Sequence, residues 1–102
     1  MRLYKALSPR HGFGLFADQF IPKHSFICHV IKISQDGNCH VNNVGKLINH
    51  SILPNTYLMT NDNTHFYLVS ERDIYQGTEI TANYFNTPDC IMKPDMNYAN
   101  ST

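Results

Sequence analysis

Apolar and polar positions alternate along this chain in short runs bounded by turn formers. No window keeps a 3.6-residue apolar period between two capping signals, so helix is expected to be limited to a turn or two near residues 44–48. Residues 2–7 alternate weakly and lead into Ser8-Pro9-Arg10-His11-Gly12, which predicts a short strand and a turn, and residues 14–17 read as a second short strand. The densest β-branched and aromatic stretch is 25–33, bounded by Ile21-Pro22-Lys23 and by Ser34-Gln35-Asp36-Gly37-Asn38. Residues 56–60 and 65–69 flank Asn61-Asp62-Asn63 as a hairpin, and one more short strand, 78–82, follows the turn at Tyr75-Gln76-Gly77. The pattern predicts a mostly β domain, and periodicity alone stops at a small sandwich or barrel.

A chain of 102 residues is one domain, small enough to bury only about two-thirds of the surface its unfolded form exposes. Eight basic and eight acidic side chains cancel, which leaves no broad field of the kind a nucleic-acid-binding face needs. No run approaches the roughly 20 apolar residues that span a bilayer, and the N-terminus lacks the apolar core of a signal peptide. The expected location is the cytoplasm, or the nucleus in a eukaryotic host. Cys28, Cys39 and Cys90 form an odd set without framework spacing and read as free thiols of a reducing compartment. Cys28-His29 and Cys39-His40 repeat a Cys-His pair, but side chains adjacent on a strand point to opposite faces, so no metal site is expected.

Two polar clusters carry the chemistry. Leu47-Ile48-Asn49-His50-Ser51-Ile52-Leu53-Pro54-Asn55 and Gly77-Thr78-Glu79-Ile80-Thr81-Ala82-Asn83-Tyr84 each place amides and hydroxyls at the end of an apolar stretch. The first resembles the Asn-His-Ser-x-x-Pro-Asn signature of SET-domain methyltransferases, and the second resembles their Gly-Glu-Glu-Leu-Thr-x-Asp-Tyr signature. Gly12-Phe13-Gly14-Leu15-Phe16-Ala17, followed by Ile21-Pro22-Lys23, is similar to the family's N-terminal Gly-x-Gly-x-Phe-Ala strand and the turn after it. Three motifs in the family's order cover most of the chain, which resembles the minimal, free-standing SET proteins of viruses and microbes.

The resemblance implies a SET-domain (β-clip) fold over residues 1–85: several small sheets, little helix, and a knot-like threading in which the segment ending at Tyr84 passes beneath the loop carrying Asn49 and His50. It implies S-adenosylmethionine as cofactor, contacted by Gly12, Phe13, Gly14, Leu15, Asn49, His50 and Tyr84. Asn49 would bridge the cofactor's ammonium and nearby backbone, and the main chain of His50 would hold adenine, with the imidazole open to a structural role. Tyr84 is the catalytic candidate, its phenol oxygen contacting the methyl group and orienting the amine at the base of a narrow channel. Tyr57, Tyr67 and Phe85 are candidates for the channel wall, although core or rim positions suit each of them too. Residues 86–102 are poor in apolar side chains and read as a frayed tail; in this family such a segment can fold back over the active site, here through Ile91, Met92 and Tyr98.

The implied reaction moves a methyl group to the ε-amine of a protein lysine. Only about 15 residues separate the strand ending near Ile33 from Asn49, where the family inserts a helical subdomain. A truncated groove of this kind also suits a small amine such as a polyamine, for which Asp36, Asp62, Glu71 and Asp89 are acidic candidates. The family's Glu-Tyr-x-Gly stretch appears as His29-Val30-Ile31-Lys32, its Arg before the Asn-His pair as Lys46, and its Asp before the tyrosine as Asn83. These departures bear on the number of methyl groups added more than on cofactor binding; a third class, a catalytically inactive SET-like module that only binds, is opposed by the joint presence of Gly12, Gly14, Asn49, His50 and Tyr84. Short strand edges on a small β domain favour a homodimer.

Overall fold

The structure, a computed structural model, describes residues 1–91. Eight strands follow in order: β1 (Leu3–Leu7), β2 (Phe13–Ala17), β3 (Phe26–Ile33), β4 (Cys39–Val41), β5 (Asn49–His50), β6 (Thr56–Met59), β7 (His65–Ser70) and β8 (Thr81–Ala82). Single 3-10 turns at Gly45–Leu47 and Tyr84–Asn86 are the helical content among the described residues. The domain is mostly β, as the alternation of the sequence predicts, and it is divided among small sheets.

The strands form an antiparallel β1-β2 hairpin, a four-stranded sheet in the order β4-β3-β7-β6, and a two-stranded parallel pair of β5 and β8. The β6-β7 hairpin turns through Asn63, whose positive φ of 59° suits an asparagine. In β3 the register against β7 shifts between Phe26 and Cys28 and again between His29 and Ile31. Each shift sets two β3 residues against one on β7, and the alternation breaks. Ile27, Val30 and Ile31 are therefore all buried on one strand. They join Leu15, Ala17, Ile21, Ile48, Leu68, Ile74, Ile80 and Ala82 in a single core.

The predicted strand over 78–82 is strand only at its end. Its first half runs against β2 instead, with Ala17 N–H donating to Thr78 O at 3.0 Å and Ile80 N–H donating to Leu15 O at 2.8 Å. The short connection after β3 holds β4, which the alternation did not predict, and the Gly45–Leu47 turn, where a turn of helix is expected near residues 44–48. Asn42 fastens it to β3: its side-chain Nδ2 donates to His29 O at 2.6 Å, and its Oδ1 accepts from Gly45 N–H at 2.7 Å. Gly45 lies so close to the strand that a Cβ there would come within 2.9 Å of Val30 O.

Cys39 and Cys90 are joined as a disulfide, with Cα atoms 5.7 Å apart, which corrects the expectation of three free thiols. Cysteine number and spacing are silent about a chain that turns back on itself, and residues 84–91 do so, bringing Cys90 within the ordinary reach of a bridge to β4. Cys28 remains as the free thiol. Ile91 is half-buried against the core, while Met92 and Tyr98 lie outside the described residues.

The parallel pair is clamped by Asn55. Its Nδ2 donates to Glu79 O at 2.8 Å, its Oδ1 accepts from Thr81 N–H at 2.9 Å, and next to it Thr56 Oγ1 donates to Thr81 O at 2.7 Å. All of these groups are buried. Asn55→Ala would leave a backbone carbonyl and a backbone N–H without partners, at a cost of about 3 kcal/mol. For a domain of this size the melting temperature should fall by roughly 12–20 °C; a calorimetric melt within a degree or two of wild type would show that the clamp contributes nothing.

Candidate active site

The three motifs meet at Asn49, Gly14 and Glu79. Successive β5 side chains point to opposite faces, so Asn49 and His50 serve different neighbours. Asn49 Nδ2 donates to Glu79 Oε2 at 2.8 Å, to His11 O at 3.1 Å and to Phe13 O at 3.2 Å. Three oxygens around one nitrogen fix the orientation of the amide. Its Oδ1 accepts no hydrogen bond among the described residues and remains available to a donor. Asn49 thus ties the glycine loop between β1 and β2 to the parallel pair.

Glu79 is the hub of this junction, with its side chain almost fully buried. Its carboxylate accepts from Ser8 Oγ at 2.8 Å, from Arg10 Nη1 at 3.2 Å and from Asn49. The guanidinium and the two hydrogen bonds offset the desolvation of the charge. Gly14 is glycine for the same reason: a Cβ there would lie 2.3 Å from Glu79 Oε2 and 3.2 Å from Asn49 Nδ2. The neighbour that excludes a side chain at position 14 is therefore protein. Gly12 has a positive φ of 49° and open space where a Cβ would stand. Phe13 is exposed with Lys5 Nζ 4.5 Å from its ring centre, and Leu15 is a core residue.

On the other face, His50 Nδ1 accepts from Tyr84 N–H at 3.0 Å. A ring nitrogen that accepts from an amide must be unprotonated, so the imidazole carries its proton on Nε2. Its ring centre lies 5.3 Å from that of Tyr84 and 5.7 Å from that of Phe85, which is edge-on. The imidazole is thus part of the scaffold that aims Tyr84. The phenol hydroxyl of Tyr84 donates to Ile48 O, immediately before Asn49.

Tyr84 and Ile48 border a cavity of about 310 Å³. Val30, Val41, Leu58, Leu68 and Ile91 wall it, and among the described residues Lys46 is the one ionisable side chain besides Tyr84 in its lining. Tyr57, Tyr67 and Phe85, expected at a channel wall, do not line this cavity. Leu58 pairs directly with Leu68 across the hairpin, and the intervening pairs Tyr57–Val69 and Met59–Tyr67 face the opposite side of the sheet. There Tyr57 lies near His24, and Tyr67 packs between Phe26 and His29. Aromatic identity drew attention to the tyrosines, while strand parity selects the leucines. The structural roles of Asn55 and Glu79, both inside the motifs, also lie beyond what motif matching assigns.

Residues 31–85 match the family model of the SET domain, more than half of the chain. The chain belongs to the SET-domain methyltransferase family. A crystal structure of a Plasmodium falciparum protein, named as a candidate histone methyltransferase, superposes on this SET domain with a TM-score of 0.66. The two are 22% identical, over 80% of this chain and 91% of that one, a likeness of fold. Among curated proteins none matches the sequence. The family model covers the second and third motifs; the glycine loop lies before residue 31 and is joined to them by Asn49.

Burial raises the Cys28 thiol to about 11 from an ordinary 9.0. The thiolate is the reactive species, so Cys28 in the folded SET domain should be alkylated about 100-fold more slowly at pH 8 than in urea-unfolded chain; equal rates would contradict the burial. Gly14→Ala should destabilise the domain by about 2–4 kcal/mol through its clash with Glu79. In a double-mutant cycle with Glu79→Ala most of that penalty should vanish, and strict additivity would show that the glycine is needed for another reason.

Proposed function

We propose that this SET domain transfers a methyl group from S-adenosylmethionine to the ε-amine of a protein lysine. The observation that carries the reading is the lining of the apolar cavity, which sets the hydrogen-bonded pair of Tyr84 hydroxyl and Ile48 carbonyl among Leu58, Leu68 and Val30. Apolar walls suit the four methylenes of a lysine side chain, and two neighbouring oxygens suit the amine and the methyl it receives.

The donor set supports the cofactor. Asn49 Oδ1 is an acceptor held in place by the three bonds of its own Nδ2, suited to an ammonium group, and Gly12 leaves its backbone open to close approach. When bound, S-adenosylmethionine supplies an electrophilic methyl group on a positively charged sulfur. Tyr84 and Ile48 place oxygen atoms where a polarised methyl and the attacking amine would pass, so alignment and electrostatics make the main contribution. A lysine amine needs about 4.6 kcal/mol to be neutral at pH 7 from an ordinary pKa near 10.4. Burial between apolar walls lowers that cost, so no protein base is required.

The lining argues against a polyamine. Among the described residues Lys46 is the one charged side chain there, and a cation at the wall repels a polycation. Asp36 and Asp62, two of the acidic candidates, are instead held in surface turns by their own loops. Hydrogen bonding from Ser34 and Asn38 lowers the pKa of Asp36, and backbone N–H groups of His65 and Thr64 lower that of Asp62, so both are local anchors.

With labelled S-adenosylmethionine, a histone mixture and a host lysate as acceptors, wild type should label protein lysine. Tyr84→Phe should lose at least about 10-fold in kcat with little change in cofactor affinity, the signature of a group acting in the transition state. Label confined to a polyamine panel, or cofactor binding without transfer to any acceptor, would overturn the proposal.

A further inference from the structure

The disulfide joins two walls of the cavity that holds Tyr84. On one side Cys39 lies two positions before Val41, which lines the cavity. On the other, Cys90 lies next to Ile91 and three residues after Thr87, both of which line it. The residues from Tyr84 to Ile91 turn locally, with Thr87 N–H donating to Tyr84 O at 3.3 Å and Ile91 N–H donating to Pro88 O at 2.9 Å. Tyr84, at the start of this segment, is held by His50 and Ile48, and the bridge joins its far end to β4, over Ile91 packed on the core. Cys90 is exposed and Cys39 half-buried, so a small thiol can reach the bridge from solvent.

We propose that Cys39–Cys90 is a thiol–disulfide modification site, through which a low-molecular-weight thiol couple of the glutathione type sets whether the far end of the segment, residues 87–91, closes the cavity. The thiolate of the small thiol attacks Cys90 Sγ, the S–S bond breaks, and Cys39 leaves as a thiolate that takes a proton. A second small thiol attacks the mixed disulfide and releases Cys90, also protonated. Overall two reagent thiols become one reagent disulfide and pass two electrons and two protons to the protein; the reverse reaction recloses the wall. Cys28 is no competitor for this exchange, since burial on β3 holds it as a thiol.

The consequence for catalysis rests on the methyl-transfer reading above. An acceptor amine enters between the walls, so opening the bridge should raise its KM more than it lowers kcat.

The test poises the full chain against reduced and oxidised glutathione, quantifies the pair by differential alkylation, and follows hydrogen exchange of residues 87–91. The oxidised protein should exchange there at least 10-fold more slowly than the reduced protein. Cys28→Ser should respond as wild type does, and Cys90→Ser should exchange fast in either buffer. Methyl transfer should show KM for the amine acceptor at least 5-fold higher on reduction, restored by reoxidation in wild type and in Cys28→Ser. If Cys90→Ser does not fold, reduced wild type replaces it as the open form. Equal exchange in the two states, or a pair that glutathione disulfide cannot close, overturns the proposal. A redox difference in exchange with no transfer in either state supports the latch and refutes the methyltransferase reading instead.

Discussion

The parallel contact between Asn49–His50 and Thr81–Ala82 is the constraint on which the rest of the molecule depends. A pair of two-residue strands has too few ladder bonds to hold itself, and side chains do the work. Asn55 grips the backbone of 79–81, Asn49 grips Glu79, and His50 receives the N–H of Tyr84. All three belong to one short motif, and all three reach the same partner segment. Remove the grip, and Tyr84 loses its aim at Ile48 while the glycine loop loses its anchor on Asn49.

This places much of the motif chemistry in the scaffold. Gly14 is excluded from bearing a side chain by a buried carboxylate, and the imidazole of His50 is a fixed acceptor for a backbone amide. A close junction of buried polar groups is costly unless each is satisfied. Here the satisfied junction leaves Asn49 Oδ1 and the backbone at Gly12 open, and it sets the hydrogen-bonded oxygens of Tyr84 and Ile48 beside the apolar cavity. The proposed chemistry uses those groups and little else.

Sequence made the strands legible wherever alternation was strong, as in β3 and the β6-β7 hairpin, and it made the three motifs legible by composition and order. It also indicated Tyr84. What it hid follows from geometry that residue types do not carry. Two bulges in β3 bury Ile27, Val30 and Ile31 together, which no period of two predicts. Strand parity puts Leu58 rather than Tyr57 on the cavity side. Cys39 and Cys90 are 51 positions apart and meet only because the chain turns back after Tyr84. The small strand β4 was also hidden, while the Gly45–Leu47 turn falls where a helical turn is expected, and Asn42 fastens the connection to β3.

The most direct measurement is a crystal structure of the oxidised chain with S-adenosylhomocysteine and a lysine peptide it labels. The account predicts the ε-amine within about 3 Å of Tyr84 Oη, the methylenes between Leu58 and Ile91, and the amino-acid end of the nucleoside ligand at Asn49 Oδ1. A peptide bound on the Tyr57–Tyr67 face, or a ligand that leaves Asn49 and Tyr84 untouched, would contradict it.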